Sequence, residues 1–348
     1  MNRADILTYP DSRRRAEKLA DAFLRALACA HEFIGATSPN PPVGCALLDA
    51  DGEILAVAAH EKAGQAHAEA AAITRCRDNG SIARLHTLIV TLEPCTHQGR
   101  TPPCADAILA TPARDIWIGA SDPNPSVAGG GARKLQNSGL SVNLFGDLPH
   151  PNAGLFAQQA ARLIAPFAKH RTTGIPWITL KQALNTKGNM IPPKGTKTFT
   201  SPSSLAFAHK LRKRADAILT GSGTILADDP AFTIRHVADF PDKTRPLIIV
   251  DRRGRVPASY LEAARAHGFD PQITTSFTDA LSALGKSGVL EVLIEAGPIL
   301  LDYIVLEGLW DEHAIIHQAA LDGEQDQITQ RYRIPLPTQG GADVFRHN

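Results

Sequence analysis

His67 and Glu69 stand two residues apart, and Cys95 and Cys104 follow downstream in the same half of the chain. One histidine and two cysteines suit zinc, and three protein ligands leave a fourth position open to water. Zinc lowers the pKa of such a water toward about 7, which provides hydroxide at neutral pH. A carboxyl that is not a ligand can take and return protons beside it, and Glu69 is placed for that work. This residue set is the one used by zinc deaminases of aminated rings. The expected chemistry is attack on the ring carbon that bears the amino group, followed by loss of the amine. Taken singly these residues say little, because free cysteines are usually buried small hydrophobes. Their order, and their places at strand and helix ends, carry the reading. Cys29, Cys45 and Cys76 lack that context and read as buried thiols.

The elements that must position these groups follow from apolar periodicity. A first helix is expected over 12–34, with Leu19, Phe23, Leu27 and Ala30 on one face. The run Ser38-Pro39-Asn40-Pro41-Pro42 interrupts it. Strands follow over 43–48 and 53–58, then a helix over 66–77 with His67 and Glu69 near its start. A strand over 88–92 runs into Glu93-Pro94-Cys95, and Cys104 opens another helix. Strand, helix and strand continue over 115–119, 129–137 and 141–145, and a helix over 152–165 closes the unit. That alternation predicts a layered α/β domain. The stretch 166–176, with two prolines and Gly174, reads as a linker. A second α/β unit is expected beyond it, with strands over 177–180, 217–220, 247–251, 289–295 and 312–317. Helices are expected there over 203–214 and 299–306. No internal repeat relates the halves.

Length and charge narrow the class. The chain has 348 residues, enough for two domains, and a formal charge of +1 from 36 basic and 35 acidic residues. That balance argues against binding nucleic acid through a strong field. No apolar run is long enough to span a bilayer. The N-terminus lacks the apolar core of a secretory signal and reads as a frayed lead into an exposed helix. Five scattered cysteines do not suggest a disulfide framework, so the expected compartment is the cytoplasm.

The segment Thr91-Leu92-Glu93-Pro94-Cys95-Thr96-His97-Gln98-Gly99-Arg100-Thr101-Pro102-Pro103-Cys104 places eight residues between its cysteines, not the two of many nucleobase deaminases. It closely resembles the deaminase domain of the bifunctional riboflavin-biosynthesis deaminase/reductase family. The runs 38–45, 63–69 and 122–125 agree, and the likeness covers about residues 20–165. The resemblance implies a cytidine-deaminase-like α/β/α layered domain over 1–165, with 1–20 as an N-terminal extension. It also implies a dihydrofolate-reductase-like α/β domain over 177–348. The implied substrate is 2,5-diamino-6-(5-phosphoribosylamino)pyrimidin-4-one, which is deaminated and then reduced by NADPH so that its ribosyl group becomes ribityl. By resemblance Asn40, His60, His97 and Arg100 contact the deaminase substrate. The family also forms dimers or larger assemblies.

In the second half the resemblance rests on 214–230, 247–257 and 292–298. It implies that Thr224, Asp228, Ala296, Gly297, Pro298 and Ile299 meet NADPH. Arg212, Phe232, Arg235 and Glu295 would meet the substrate. Gly221-Ser222-Gly223 lacks the third glycine of a dinucleotide fingerprint, so a Rossmann domain is not expected. Three positions depart from the family pattern: Lys187 where it has an acid, Thr198 near its tryptophan, and Ala296 in place of a glycine. An alanine is strained wherever a positive φ is required. The tail from Ala319 shows no closing strand pattern. The favoured reading is one chain with both activities. An alternative keeps the deaminase and makes the second half a catalytically degenerate scaffold. A polynucleotide deaminase is disfavoured by the charge balance and the eight-residue gap.

Overall fold

The computed structural model describes residues 3–96, 102–123, 129–196, 198–320 and 324–333, with side chains from Ser12 onward. Its chain forms two compact units that divide between Thr172 and Thr173. The first unit runs α1 (Arg3–His31), β1 (Gly44–Leu48), β2 (Ile54–Ala59), α2 (Ala68–Asp78), β3 (Thr87–Leu92) and α3 (Cys104–Leu109). It continues with β4 (Asp115–Ala120), α4 (Gly130–Asn137), β5 (Ser141–Leu144), α5 (Ala153–Leu163) and α6 (Ala165–Thr173).

The five strands lie in the order β2-β1-β3-β4-β5. β1 is antiparallel to β2 and β3, whereas β3, β4 and β5 are parallel. Both faces of the sheet are covered, and the alternation along its strands shows how. Ala46, Leu48 and Ile89 face one core with α1 and α5. Cys45, Leu47, Leu88 and Val90 face the other with α2, α3 and α4. On α1 the apolar stripe Ala16, Leu19, Phe23, Ala26, Leu27 and Ala30 is buried, which makes it a core helix. This corrects the expectation of an exposed helix behind a frayed lead. The helix begins well before residue 12, and its core contacts begin inside the segment 1–20. α1 lies so close to β1 that a Cβ on Gly44 would fall 1.9 Å from the Ala26 carbonyl oxygen. Phe23 stacks against Phe145 with ring centroids 4.2 Å apart. Burying one such ring contributes about 1.5–3 kcal/mol.

The stretch expected as a linker is mostly helix. α6 occupies Ala165–Thr173, and only 174–176 separates it from the next strand. Pro166 sits in the first turn, where a missing N–H costs nothing. Gly174, at φ 70°, ends the helix in the left-handed region.

The second unit runs β6 (Trp177–Leu184), α7 (Pro202–Arg214), β7 (Ala217–Gly221), α8 (Ser222–Asp228), β8 (Arg245–Val250) and α9 (Ala258–Ala266). Then come β9 (Phe269–Thr274), α10 (Phe277–Lys286), β10 (Glu291–Ile294), α11 (Pro298–Leu306), β11 (Glu312–His317) and β12 (Gln327–Tyr332). The sheet order is β12-β11-β6-β10-β7-β8-β9. All its pairings are parallel except β11 with β12. The strand β12 corrects the reading of the tail: it pairs over its whole length from Gln327 to Tyr332. β9 and helices α8, α9 and α10 are further elements beyond those expected.

Arg214, at the end of α7, ties three central strands together. Its Nη2 donates to Glu291 Oε1 on β10 and Glu312 Oε2 on β11, each at 2.6 Å, and to Thr179 Oγ1 on β6 at 3.1 Å. Burial pushes the Glu291 carboxyl up, against the pull of Arg214.

Candidate functional sites

In the first unit the strand β3 and the starts of α2 and α3 bring three metal donors together. His67 caps α2 in an extended conformation (φ −68°, ψ 160°), and Cys104 is the first residue of α3. The donor atoms of His67, Cys95 and Cys104 all lie within 4.8 Å of one another. His67 Nδ1 is 3.2 Å from Cys104 Sγ and 3.7 Å from Cys95 Sγ. Tetrahedral zinc ligands at about 2.3 Å (S) and about 2.0 Å (N) would stand roughly 3.5–3.8 Å apart, so this donor set fits the ion. The Cys104 backbone N–H also donates to Cys95 Sγ at 3.4 Å, as expected at a thiolate ligand.

The electrostatics agree. Hydrogen bonding from Cys104 pulls the Cys95 thiol down to about 4, and the same bond, with burial, raises Cys104. A dication between the sulfurs would hold both as thiolates. His67 is raised chiefly by its hydrogen bond to Cys95, against burial. Glu69, in the first turn of α2, is 3% exposed, and burial raises its carboxyl. A carboxyl tuned upward is suited to pass protons near neutral pH.

His67, Glu69 and Cys95 open into a cavity of about 410 Å³, lined on its other sides by Asn40, His60, Asp122, Phe167 and Arg171 among others. That volume is ordinary for a small-molecule site. Asn40 and His60 thus share this cavity with the metal donors. His60 Nδ1 lies 3.0 Å from the Ala66 carbonyl, so that nitrogen carries the proton and donates. Asn40 Nδ2 then donates to His60 Nε2 at 3.2 Å. Burial holds His60 below its ordinary range, in keeping with a neutral ring. His97 and Arg100 lie outside the described residues.

Three residues of this site escaped the sequence reading. Glu93 accepts backbone N–H bonds from Asp122 and Gly129 through Oε2, each at 3.1 Å, and from Ala132 through Oε1 at 3.0 Å. It thereby pins the start of α4 against the Pro94–Cys95 turn. Phe167 and Arg171 reach the cavity from α6. The signal for Glu93 was its place in Glu93-Pro94-Cys95, next to a ligand. For α6 the two prolines and Gly174 masked the helix.

In the second unit Arg212 meets Glu295 and Phe232, and Thr224 meets Gly297, beyond the ends of β10 and β7, the usual binding edge of parallel strands. Glu295 follows β10 and is buried. It accepts from Arg212 Nε at 2.5 Å and Nη2 at 3.0 Å, and from Lys181 Nζ on β6 at 3.2 Å. Burial would raise its carboxyl, but the charges of Arg212 and Lys181 outweigh that and hold it well below the usual range. Arg212 also stands over the Phe232 ring, 5.7 Å from its centroid. Phe232 is 3% exposed and at φ 51°, so most of its ring belongs to the core. Arg235 is exposed, and its backbone N–H donates to His209 Nδ1 at 2.9 Å.

Gly297 N–H donates to Thr224 Oγ1 at 2.8 Å, which joins the start of α11 to α8. Pro298 and Ile299 are exposed in the first turn of α11, and Asp228 is exposed at the end of α8. Ala296 is buried and is not among the positive-φ residues, so the strain expected of an alanine there does not arise. Lys187 occupies an exposed turn whose geometry comes from neighbours: Asn185 Oδ1 accepts from the backbone of Lys187 and Asn189, and Gly188 has φ 74°. Thr198 is exposed and bonds Thr200.

Both halves match known families. Residues 16–120 match the cytidine and deoxycytidylate deaminase zinc-binding region, and residues 176–337 match the RibD C-terminal domain. The chain is 34% identical over 323 residues to the riboflavin biosynthesis protein RibD of Aquifex aeolicus, covering 86% of each. It is 33% identical over 322 residues to that of Escherichia coli, covering 83% of this chain and 84% of the other. Among solved structures, Acinetobacter baumannii RibD superposes with a TM-score of 0.73 at 30% identity, covering 90% of each chain. A Thermotoga maritima diaminohydroxyphosphoribosylaminopyrimidine deaminase/5-amino-6-(5-phosphoribosylamino)uracil reductase gives 0.74 at 28%, covering 89% of each.

Proposed function

The chain belongs to the RibD family of riboflavin biosynthesis proteins, and from that premise we propose which of its residues carry the family's two reactions. It is a bifunctional deaminase and reductase of riboflavin biosynthesis. The substrate is 2,5-diamino-6-(5-phosphoribosylamino)pyrimidin-4-one, deaminated first and then reduced at its ribosyl group. The observation that carries the first step is the convergence of His67, Cys95 and Cys104 beside buried Glu69 at the wall of one cavity.

His67, Cys95 and Cys104 would hold zinc, which would supply water of lowered pKa. Glu69 would take one proton from the attacking water and deliver it to the ring nitrogen, then carry the proton of the added hydroxyl to the departing amine, which leaves as ammonia. Asn40, oriented by His60, reads the polar edge of the ring. Burial of Glu69 keeps bulk water from competing for its proton.

In the second unit NADPH, when bound, would supply the hydride that reduces the ribosyl group. Thr224, Asp228 and the 296–299 turn face the cofactor, while Arg212, Phe232, Arg235 and Glu295 form the substrate side. The Arg212–Glu295–Lys181 set offers fixed charges to orient hydroxyls of the opening ribose. Lys187 and Ala296 leave the local backbone intact, which favours an active reductase over a scaffold.

Two variants test the assignment. Glu69→Gln should keep about one zinc per chain and lose about 10²–10⁴-fold in deamination rate. Cys95→Ala should lose the zinc as well. Full zinc and full turnover in Cys95→Ala would defeat the metal site. Oxidation of NADPH on supplying the deaminated substrate tests the second half, and its absence would favour the scaffold.

A further inference from the structure

The helix α6 places two side chains in the deaminase cavity that the chemistry at Glu69 does not use. Phe167 and Arg171 stand one turn apart on α6 and share a face. Both line the cavity that also holds His67, Glu69 and Cys95. Phe167 is 7% exposed, whereas Arg171 is exposed. The guanidinium lies over the Phe167 ring, 5.1 Å from the centroid, which restricts where it points. Among the described residues no carboxylate pairs with it. Arg171 is also the only lysine or arginine among the described residues of the cavity wall. The acids of that wall have other work. Glu93 is committed to three backbone N–H groups, and Glu69 is buried with its carboxyl raised. Asp122 already has a partner of its own. A cavity of about 410 Å³ has room for more than a single ring.

We propose that Arg171, braced by Phe167, is a specificity-determining residue of the deaminase site and binds the phosphate of the phosphoribosyl group. The proposal rests on the substrate class given under Proposed function. A planar, permanently charged fork is the side chain best matched to a phosphate monoester. With zinc and Glu69 at one wall and Arg171 at another, the substrate lies across the cavity, its ring at the metal and its sugar phosphate toward α6. The site then rejects free bases and unphosphorylated nucleosides because they leave the arginine unmatched.

The test uses the full zinc-loaded chain and two substrates, the phosphorylated compound and its dephosphorylated counterpart, followed by ammonia release. Wild type should prefer the phosphorylated one. Arg171→Gln should lose on the order of 10–100-fold of that preference through KM, as removal of a charged hydrogen-bonding group does. Arg171→Lys should keep much of it, and zinc content should be unchanged in both. An Arg171→Gln chain that retains the full preference, or that loses activity equally on both substrates, overturns the proposal. A second readout needs no turnover. Phenylglyoxal modification of Arg171, located by peptide mass spectrometry, should be slowed by ribose 5-phosphate and not by ribose. No protection also overturns it. Protection without ammonia release from either substrate would instead fault the deaminase reading and leave the anion site standing.

Discussion

Gly131 shows how closely the metal site is built. A Cβ there would fall 1.9 Å from the Pro94 carbonyl oxygen, one residue before Cys95 of the metal-donor cluster. That neighbour is backbone and cannot swing aside, so Gly131→Ala must push α4 away from the Pro94–Cys95 turn. Displacement would also stretch the three N–H bonds that Glu93 accepts. Overpacking of this kind costs about 1–3 kcal/mol. The variant should unfold at lower denaturant and bind zinc more weakly, with NADPH oxidation untouched. An unchanged unfolding midpoint and zinc affinity would show that α4 yields freely. The grouping of His67, Cys95 and Cys104 was legible from residue type and order, because zinc chemistry admits few donor sets. Glu93 and Gly131 were not, since a carboxylate that satisfies backbone N–H groups has no signature of its own in a sequence.

At the scale of elements, strong periodicity was readable and punctuation misled. α1 was legible because its alanines and Phe23 recur at helical spacing, though its start was set too late. α6 was hidden by Pro166 and Gly174, which mark a helix start and stop as well as they mark a linker. β12 was hidden for another reason. It is an edge strand whose residues are mostly exposed, so Gln327–Tyr332 carries no apolar alternation. Its place is secured by pairing, and through β11 by the Arg214 network; Gln330 Nε2 donates to Glu312 Oε1 at 2.8 Å. Arg214→Met would leave Glu291 and Glu312 buried without their cation. Removing one partner of a buried ion set typically costs about 3–5 kcal/mol. Urea unfolding should show a loss of that order. Adding Glu291→Leu and Glu312→Leu to the same chain should recover much of it, because packed apolar groups replace such sets well. A triple variant weaker than Arg214→Met would contradict that account.

Across the whole molecule the two units should respond differently to acid, and the reason lies in the second. His209 is 3% exposed, and its Nδ1 accepts the Arg235 N–H. The His236 ring stands 4.6 Å away, and Arg212 and Arg235 add positive charge. Burial first, then these cations, push His209 down to about 4, with Glu295 the one group pulling the other way. An unfolded histidine titrates near 6.5, so between about 6.5 and 4 the unfolded chain binds the proton that the folded unit refuses. The stability that His209 contributes is thus complete above about 6.5 and drains away as pH falls toward 4. Glu295 has the same sign in a lower window. Its depressed carboxyl stabilises the fold above the ordinary glutamate range, and that contribution is lost as pH falls further below it. Hydrogen exchange read at amides of β7 and β10 in the full chain should therefore quicken, relative to its intrinsic rate, from pH 7 to pH 4.5. His209→Gln can still accept the Arg235 N–H but cannot be protonated. It should flatten the change between about 6.5 and 4 and leave the fall below that window, where Glu295 acts. A slope that survives His209→Gln unaltered would move the acid response to some other group.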